Sequence, residues 1–403
     1  MNKNSRTVGR RTFLKIGAAG LTSLALPLSS QTPSPVPAPK KKGKFIYRTL
    51  GKTGLRVPIV SMGVMNADNP NLVQAALDSG ILLLDTAHTY QRGRNEVMIG
   101  QVIKGRPRDS FYIATKVPGP SRDKSLAELP PQEMKKAFLA KFETSLKRLG
   151  LDYVDIFYLH NITAAKDALF EPILEALQTA KKQGKARFIG VSTHRNEPEV
   201  IRAAIQSQIY EVVLTSFNFR QDHREEVRRA IREASQAGLG VCIMKTQAGV
   251  YWDKEKTRPI NMKAALKWAL NEPHAHTAIP GMTTFDQLEL DLSVMEDLTL
   301  TPEELNDLKL AAQSPGFFCQ QCGQCQPTCP QSLPIPTLMR SYMYAVAYNN
   351  LSLAYDVVSS LQLPENPCAS CSTCTARCVK GLDIGPRVQD ILKIRSLPPS
   401  LLV

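Results

Sequence analysis

Aromatic residues are scarce in this chain of 403 residues: they make up 6% of it, and only two are tryptophan. No patch interleaves them with basic residues, so the formal net charge of +14 is not read as a nucleic-acid surface and no nucleic-acid partner is expected. Acidic residues are missing altogether from the first 44 positions, which hold nine lysines and arginines: Lys3, Arg6, Arg10, Arg11, Lys15, Lys40, Lys41, Lys42 and Lys44. Setting those nine aside leaves +5 over the remaining 359 residues, an ordinary value for a globular protein. Long apolar runs are also lacking. Ile16 to Leu28 would reach about 20 Å as a helix, short of the roughly 30 Å of a hydrocarbon core, so a spanning helix is not expected. Cysteine occurs only once before position 319, at Cys242, inside an apolar segment that suits a buried core thiol. What remains, 43% hydrophobic and 21% charged residues, is the composition of a globular chain long enough for more than one domain.

The basic N-terminus has an order of its own. Gly9-Arg10-Arg11-Thr12-Phe13-Leu14-Lys15 precedes the short apolar run, and a basic start, paired arginines and a modest hydrophobic stretch read as a twin-arginine export signal over residues 1–30. No clear small-x-small cleavage site follows. Residues 31–44, rich in proline and lysine, read as an extended linker. The expected location is periplasmic or otherwise extracytoplasmic, with the twin-arginine machinery as a partner. That route moves folded proteins, which suits a cofactor installed before export.

The other eight cysteines fall into two runs of identical spacing. Cys319, Cys322, Cys325 and Cys329 form C-x2-C-x2-C-x3-C, with Pro330 next, and Cys368, Cys371, Cys374 and Cys378 repeat the pattern. Thiolates so spaced on tight turns can meet three corners of one iron–sulfur cube, while the fourth usually ligates the other cluster. The expected cofactors are therefore two [4Fe–4S] clusters: Cys319, Cys322 and Cys325 with Cys378, and Cys368, Cys371 and Cys374 with Cys329. Zinc prefers two separated pairs, and disulfides between such close neighbours would need extensive reshuffling. The duplication continues past the sulfurs, with Leu333 and Ile335 matched by Leu382 and Ile384 at the same offsets. Thr337 to Leu361 lacks strand-like alternation and reads as helical. The segment resembles the α-helical ferredoxin domains of bacterial electron-transfer proteins, with Val379 in place of the usual proline.

Ahead of it, short β-branched runs alternate with amphipathic stretches. Strands are expected near Ile59–Val64 and at Ile81–Asp85, Tyr112–Lys116, Val154–His160, Arg187–Ser192, Val212–Ser216, Val241–Lys245 and Thr277–Pro280. One helix should start at Pro130-Pro131, place Leu139, Phe142, Leu146 and Leu149 on one face and close at Gly150. Two more carry Phe170, Ile173, Leu174 and Leu177, and Val227, Ala230, Ile231 and Ala234. Eight such units define the expected fold class: an α/β TIM (β/α)8 barrel over residues 45–313, followed by a small α-helical ferredoxin-like iron–sulfur domain over 314–403. Asp85, Lys116, His160, Ser192 and Lys245 then sit at strand ends, on the face where such barrels do chemistry.

Here the motifs resemble the aldo-keto reductase family, in its exported, iron–sulfur-bearing branch. Tyr47 to Leu55 is similar to its N-terminal hairpin. Asp85-Thr86-Ala87-His88-Thr89-Tyr90 with Gly93 and Asn95-Glu96 resembles its second-strand motif. Ala114-Thr115-Lys116, Asp155 to His160 and Gly190-Val191-Ser192 match the next ones. The resemblance implies a catalytic tetrad of Asp85, Tyr90, Lys116 and His160, with Tyr90 as acid/base. A phenol of pKa about 10 is a sluggish acid, and Lys116 should bring it down. His160 would orient the carbonyl oxygen and Asp85 would hold Lys116, while His88 and His194 would line the mouth. The resemblance also implies NAD(P)H, with Ser192 and Thr193 as cofactor-binding positions. Yet Thr193 stands where Asn is usual, Leu214 where Gln is, and Met244 where an aromatic ring is. Ile279 to Thr283 lacks the usual Lys-Ser, and Gln287 replaces the arginine that reads a 2′-phosphate, leaving NADH, NADPH or neither open. No flavin motif is visible. Two functions follow: an exported oxidoreductase acting on a small carbonyl or alcohol, its clusters exchanging electrons with a redox partner protein, or an electron-transfer or binding protein whose barrel is a non-catalytic docking scaffold.

Overall fold

The computed structural model describes residues 45–248, 260–313, 318–348 and 350–398; the twin-arginine segment and the linker lie outside them. Eight parallel strands run in chain order: β1 (Met62–Gly63), β2 (Leu83–Asp85), β3 (Tyr112–Pro118), β4 (Val154–Ile162), β5 (Ala186–Thr193), β6 (Val212–Ser216), β7 (Gly240–Met244) and β8 (Thr277–Ala278). Bridges Val60–Ala278 and Gly63–Gly281 join the last strand to the first, so the sheet closes into the expected barrel. The central strands β3, β4 and β5 run a residue or more past the expected ends, whereas β1 and β8 shrink to two residues each. At Gly63 the first and last strands approach closely: a Cβ there would lie 2.7 Å from the Ile279 carbonyl oxygen.

Alternation along each strand sorts the side chains. Ile113, Val117, Phe157, Leu159, Val213, Val241 and Ile243 point outward into the layer shared with the helices. Tyr112, Ala114, Ile156, Tyr158, Val212, Leu214 and Cys242 fill the barrel interior, and Leu50, Leu55 and Val57 of the N-terminal hairpin join the same cluster. Continued by one step, that inward series reaches Asp85, Lys116 and His160. Helix α1 (Pro131–Leu149) begins and ends as expected, with Gly150 in the left-handed region at φ 65°. Its buried stripe runs through Met134, Phe138, Phe142, Leu146 and Leu149, one position aside from Leu139, because Phe142 stacks on Phe157 at 3.8 Å between ring centres.

The stretch expected as one helical region is two helices, α2 (Ile335–Val346) and α3 (Leu351–Ser360), followed by α4 (Ile384–Leu392). Asn350 divides the first two: its side-chain oxygen accepts the Leu353 N–H at 2.9 Å and restarts the helix as an N-cap. Leu338, Met339, Ala354, Val358, Val388 and Ile391 form their small core, together with Leu333, Ile335 and Ile384 of the duplicated motif. This segment lies over the C-terminal mouth of the barrel. Asn350 donates to the Asn66 side chain (3.4 Å), Gln320 to the Ala248 carbonyl (3.3 Å), Lys245 to Gln321 (3.5 Å) and Lys380 to Asp222 (2.6 Å), and Arg92 pairs with Asp356. The barrel residues in these contacts all follow the ends of strands. Among the described residues, no helix is long and apolar enough to cross a membrane.

Candidate active site and iron–sulfur segment

The tetrad positions meet at the barrel mouth. Lys116, buried at the end of β3, donates from Nζ to the Asp85 carboxylate, to the Thr86 carbonyl (2.7 Å) and to the Tyr90 hydroxyl (3.4 Å). The His160 ring stands edge-on to that of Tyr90, with centroids 5.8 Å apart. Tyr90 reaches this point because its loop is pinned from both sides. Thr86 donates to Asn95 (2.6 Å), whose amide donates to the Val64 carbonyl (2.7 Å); Glu96 accepts from Thr115 (2.6 Å) and from Arg148 (3.2 Å). Gln91 and Arg92, both with positive φ, turn the chain, and Gln91 donates to the carbonyls of Met65 and Ala67. The Asn95-Glu96 pair of the sequence motif thus fixes the loop rather than the reacting atoms.

Electrostatics change one expectation. Lys116 was expected to lower the Tyr90 pKa, but burial outweighs its pull and the phenol is raised above its ordinary value. Tyr90 is therefore neutral at pH 7 and carries a proton to give. Burial opposes the charge on Lys116, yet Asp85 and Tyr90 beside it prevail, raise its pKa and keep it cationic. His160 is held well below the usual histidine value by burial, then by Lys116, Arg122 and Arg340, so its ring is neutral.

Other expectations are corrected by where the side chains point. His88 does not line the mouth: it faces α1, with Nδ1 at 3.1 Å from the Ser145 hydroxyl, and burial and Arg148 push its pKa down to about 4. His194 does lie at the mouth, lowered well below normal by burial, Lys245 and Arg340. Ser192 is fully buried, and its oxygen accepts the Asn161 N–H at 2.8 Å. Thr193, also fully buried, donates to the Arg195 carbonyl at 2.8 Å. As placed, the Ser192 hydroxyl keeps its proton free to donate and the Thr193 oxygen keeps acceptor capacity, so both could still meet a nicotinamide carboxamide. Gln287 accepts the Thr283 N–H at 2.7 Å.

The cysteines of the two runs lie near one another. Cys319 lies within electrostatic reach of Cys325, Cys322 and Cys378, and Cys368 within reach of Cys371, Cys329 and Cys374. A cavity is lined by Cys329, Cys368, Cys371 and Cys374, with Ile335, Ile384 and Val388 as its apolar walls. Among the described residues, no three His, Cys, Asp or Glu side chains converge on a single metal ion. That donor set, all soft sulfur around a partly apolar cavity, fits iron–sulfur clusters. Cys242 is buried and receives the Tyr158 hydroxyl at 3.7 Å, an interior residue as expected.

Sequence reasoning missed the cations that act on the two mouth histidines: Arg122 after β3 and Arg340 on α2 act on His160, and Lys245 after β7 and Arg340 act on His194. No local motif marks them.

This barrel and site define an oxidoreductase of aldo-keto type. The aldo/keto reductase family model matches residues 61–264, and a 4Fe-4S dicluster domain model matches 318–382. The chain belongs to the aldo/keto reductase family. An uncharacterized oxidoreductase of Bacillus subtilis, YqkF, is 32% identical over 65% of this chain and 95% of its own length. The L-glyceraldehyde 3-phosphate reductase of Escherichia coli K12 is 33% identical over 177 residues, 40% of this chain, and the match spans 48% of that enzyme. Among solved structures, the holo form of an aldo-keto reductase from Bacillus halodurans superposes with a TM-score of 0.53 at 26% identity, covering 67% of this chain and 97% of that one. A Klebsiella pneumoniae aldo-keto reductase in complex with NADPH shares the fold at a TM-score of 0.51, with 22% identity over 66% of this chain and 96% of that one.

Proposed function

We propose that this oxidoreductase interconverts a small carbonyl compound and its alcohol at the barrel mouth, with Tyr90 moving the proton, and that eight cysteines hold two [4Fe–4S] clusters that exchange electrons with a redox partner protein. The observation that carries the reading is the chain of contacts from Asp85 through Lys116 to the Tyr90 hydroxyl, beside the neutral His160. A carbonyl becoming an alcohol takes a hydride at carbon and a proton at oxygen; a nicotinamide nucleotide, when bound, would supply the hydride, and the clusters would exchange single electrons with the partner protein. The chain's own groups do the rest. His160 donates a hydrogen bond that aligns the carbonyl oxygen, and Tyr90 gives that oxygen its proton. The Lys116 cation stabilises the phenolate left behind, and Asp85 with the Thr86 carbonyl holds Lys116 in place. In the oxidative direction Tyr90 takes the proton back.

Export by the twin-arginine route belongs to the same proposal, supported by Arg10-Arg11 and the apolar run behind them. Free nucleotides are not expected outside the cytoplasm, so a nicotinamide nucleotide would be bound before export and carried through it. Replacing Arg10 and Arg11 together by Lys should retain the protein in the cytoplasm. Unchanged fractionation would end that part of the reading.

The test of the chemistry is Tyr90→Phe. Turnover should fall by about 10²–10⁴-fold, the usual contribution of one general acid, while iron content and the visible spectrum stay unchanged. Full turnover in that variant would leave the barrel as a docking scaffold. Titration with NADH and with NADPH, followed by cofactor fluorescence, should give saturable binding of one of them; binding of neither, with clusters still redox-active, would leave the barrel as a docking scaffold.

A further inference from the structure

The two sets of cluster ligands are placed differently toward the barrel. The barrel meets the cysteine runs at Gln320, Gln321, Gly323 and Lys380. Gln320 donates to the Ala248 carbonyl (3.3 Å), Gln321 accepts from Lys245 (3.5 Å), and Lys380 donates to Asp222 (2.6 Å). These positions flank Cys319, Cys322 and Cys378, three of the four ligands expected for one cluster, and the Gln321 N–H points to the Cys319 sulfur at 3.2 Å. The cavity beside Cys329, Cys368, Cys371 and Cys374, the other ligand set, is lined only by residues between 329 and 389, all of the covering segment. One ligand set thus borders the barrel, and the other is enclosed by the cover alone.

A barrel cation stands at that border. Arg195 follows β5, where Thr193 holds its backbone: the hydroxyl donates to the Arg195 carbonyl at 2.8 Å, and its oxygen accepts the Arg195 N–H at 3.4 Å. The half-buried side chain reaches Gly323, between Cys322 and Cys325. A Cβ built on Gly323 would lie 3.1 Å from the guanidinium carbon and 3.2 and 3.3 Å from its terminal nitrogens. Three nearly equal distances mean that the guanidinium turns its face to this glycine, which has no side chain to hold it off. Glu197, two residues on, is engaged by His223 at 2.9 Å, which leaves Arg195 without a carboxylate partner among the described residues. The second run has no equal. Arg377 donates to the Cys374 and Ala376 carbonyls (2.7 and 3.2 Å) from an exposed position, where water and salt screen it, and Asp222 neutralises Lys380.

A cubane held by four thiolates is an anion, and reduction adds one more negative charge to it. A fixed guanidinium beside it favours the reduced form, the more so where protein replaces water. Resting on the reading that the eight cysteines hold two clusters, we infer that Arg195 is the barrel's counter-charge to the cluster of Cys319, Cys322, Cys325 and Cys378, and that it sets this cluster's reduction potential above that of the other. A single electron supplied by the partner protein then comes to rest on the barrel side of the pair. Arg195 touches no reacting atom; it acts by its charge on where the electron is held.

The experiment is a redox titration of the full chain with its clusters, followed by electron paramagnetic resonance, in the wild type, Arg195→Gln, Arg195→Lys and Arg377→Gln. The wild type should show two unequal midpoints. Arg195→Gln should lower the higher one by about tenfold in the reduction equilibrium, or about 59 mV for one electron, and leave the lower one in place. Arg195→Lys, which keeps the charge, should retain most of the separation, and Arg377→Gln should move either midpoint less than Arg195→Gln does. Iron content and thermal unfolding check that each variant is loaded and folded; Arg195→Met, uncharged and of similar length, takes the place of Arg195→Gln if that variant loses iron. Midpoints that stay put without the charge, that shift together, or that respond more to Arg377→Gln overturn the inference. Fewer than two clusters in the wild type would instead end the cluster reading beneath it, so the two failures are told apart by iron analysis before any titration.

Discussion

The barrel and the segment that covers it are built on different terms. The barrel encloses two apolar layers, one between strands and helices and one inside the strands, sealed below by the hairpin residues Leu50, Leu55 and Val57. The covering segment has one small core around Leu338, Met339 and Val388, and its cysteines Cys319, Cys329, Cys368 and Cys378 are packed into the wall of that core. A core of that size is marginal alone, and on the proposal above sulfur–iron bonds would staple it. The barrel would then carry its own stability while its cover leans on the clusters. The difference bears on the site, because Asp356, which pairs with Arg92 of the Tyr90 loop, belongs to the cover.

The sharpest way to break this contrast is to remove the iron. Anaerobic chelation should unfold the cover, seen as protease cleavage within residues 318–398, and leave the barrel's far-ultraviolet signal and its own melting transition in place. Loss of both together would mean that the two regions share one cooperative core. A smaller effect comes from acid. His276 accepts the Val241 N–H on Nδ1 at 2.8 Å, and burial, Arg48 and His274 push its pKa down to about 4. The native barrel thus favours the neutral ring, while the unfolded chain titrates near 6.5 and binds more protons in between. This contribution is complete above pH 6.5 and is lost as pH falls towards 4, so the barrel's melting temperature should decline across that window. His276→Gln should shallow the decline, and an unchanged slope would remove the assignment. Smallest of all is the pin between Arg92 and Asp356, which lies at the surface with Arg92 62% exposed. Arg92→Ala should cost about 0–1 kcal/mol in stability and less still at high salt. Turnover should drop more than stability does, because Arg92 follows the Tyr90 loop.

Much of this was written in local pattern. Alternation along Tyr112 to Lys116 and along Val154 to His160 carries each inward series from apolar residues to one reactive residue at the strand end, and that is why the tetrad could be read before the barrel was seen. The repeated cysteine spacing, with Leu333 and Ile335 echoed by Leu382 and Ile384, was equally plain. What could not be read depends on long-range placement. Arg340 has no neighbour in sequence that hints at the barrel. The Tyr90 pKa turns on burial beneath a segment some 250 residues away. Ser192 and Thr193 kept a recognisable sequence context while their hydroxyls turned to the Asn161 N–H and the Arg195 carbonyl. The split between α2 and α3 rests on a single Asn350 cap inside a stretch whose composition is helical throughout.

The central claim is that Tyr90 moves the proton of a carbonyl–alcohol interconversion at the barrel mouth. The direct measurement is turnover of the full chain with its clusters, with NADH or NADPH and a small aldehyde, in the wild type and in Tyr90→Phe. The account predicts one alcohol formed for each nucleotide oxidised in the wild type, and a rate about 10²–10⁴-fold lower in Tyr90→Phe with iron content and visible spectrum unchanged. Equal rates in the two proteins would contradict it.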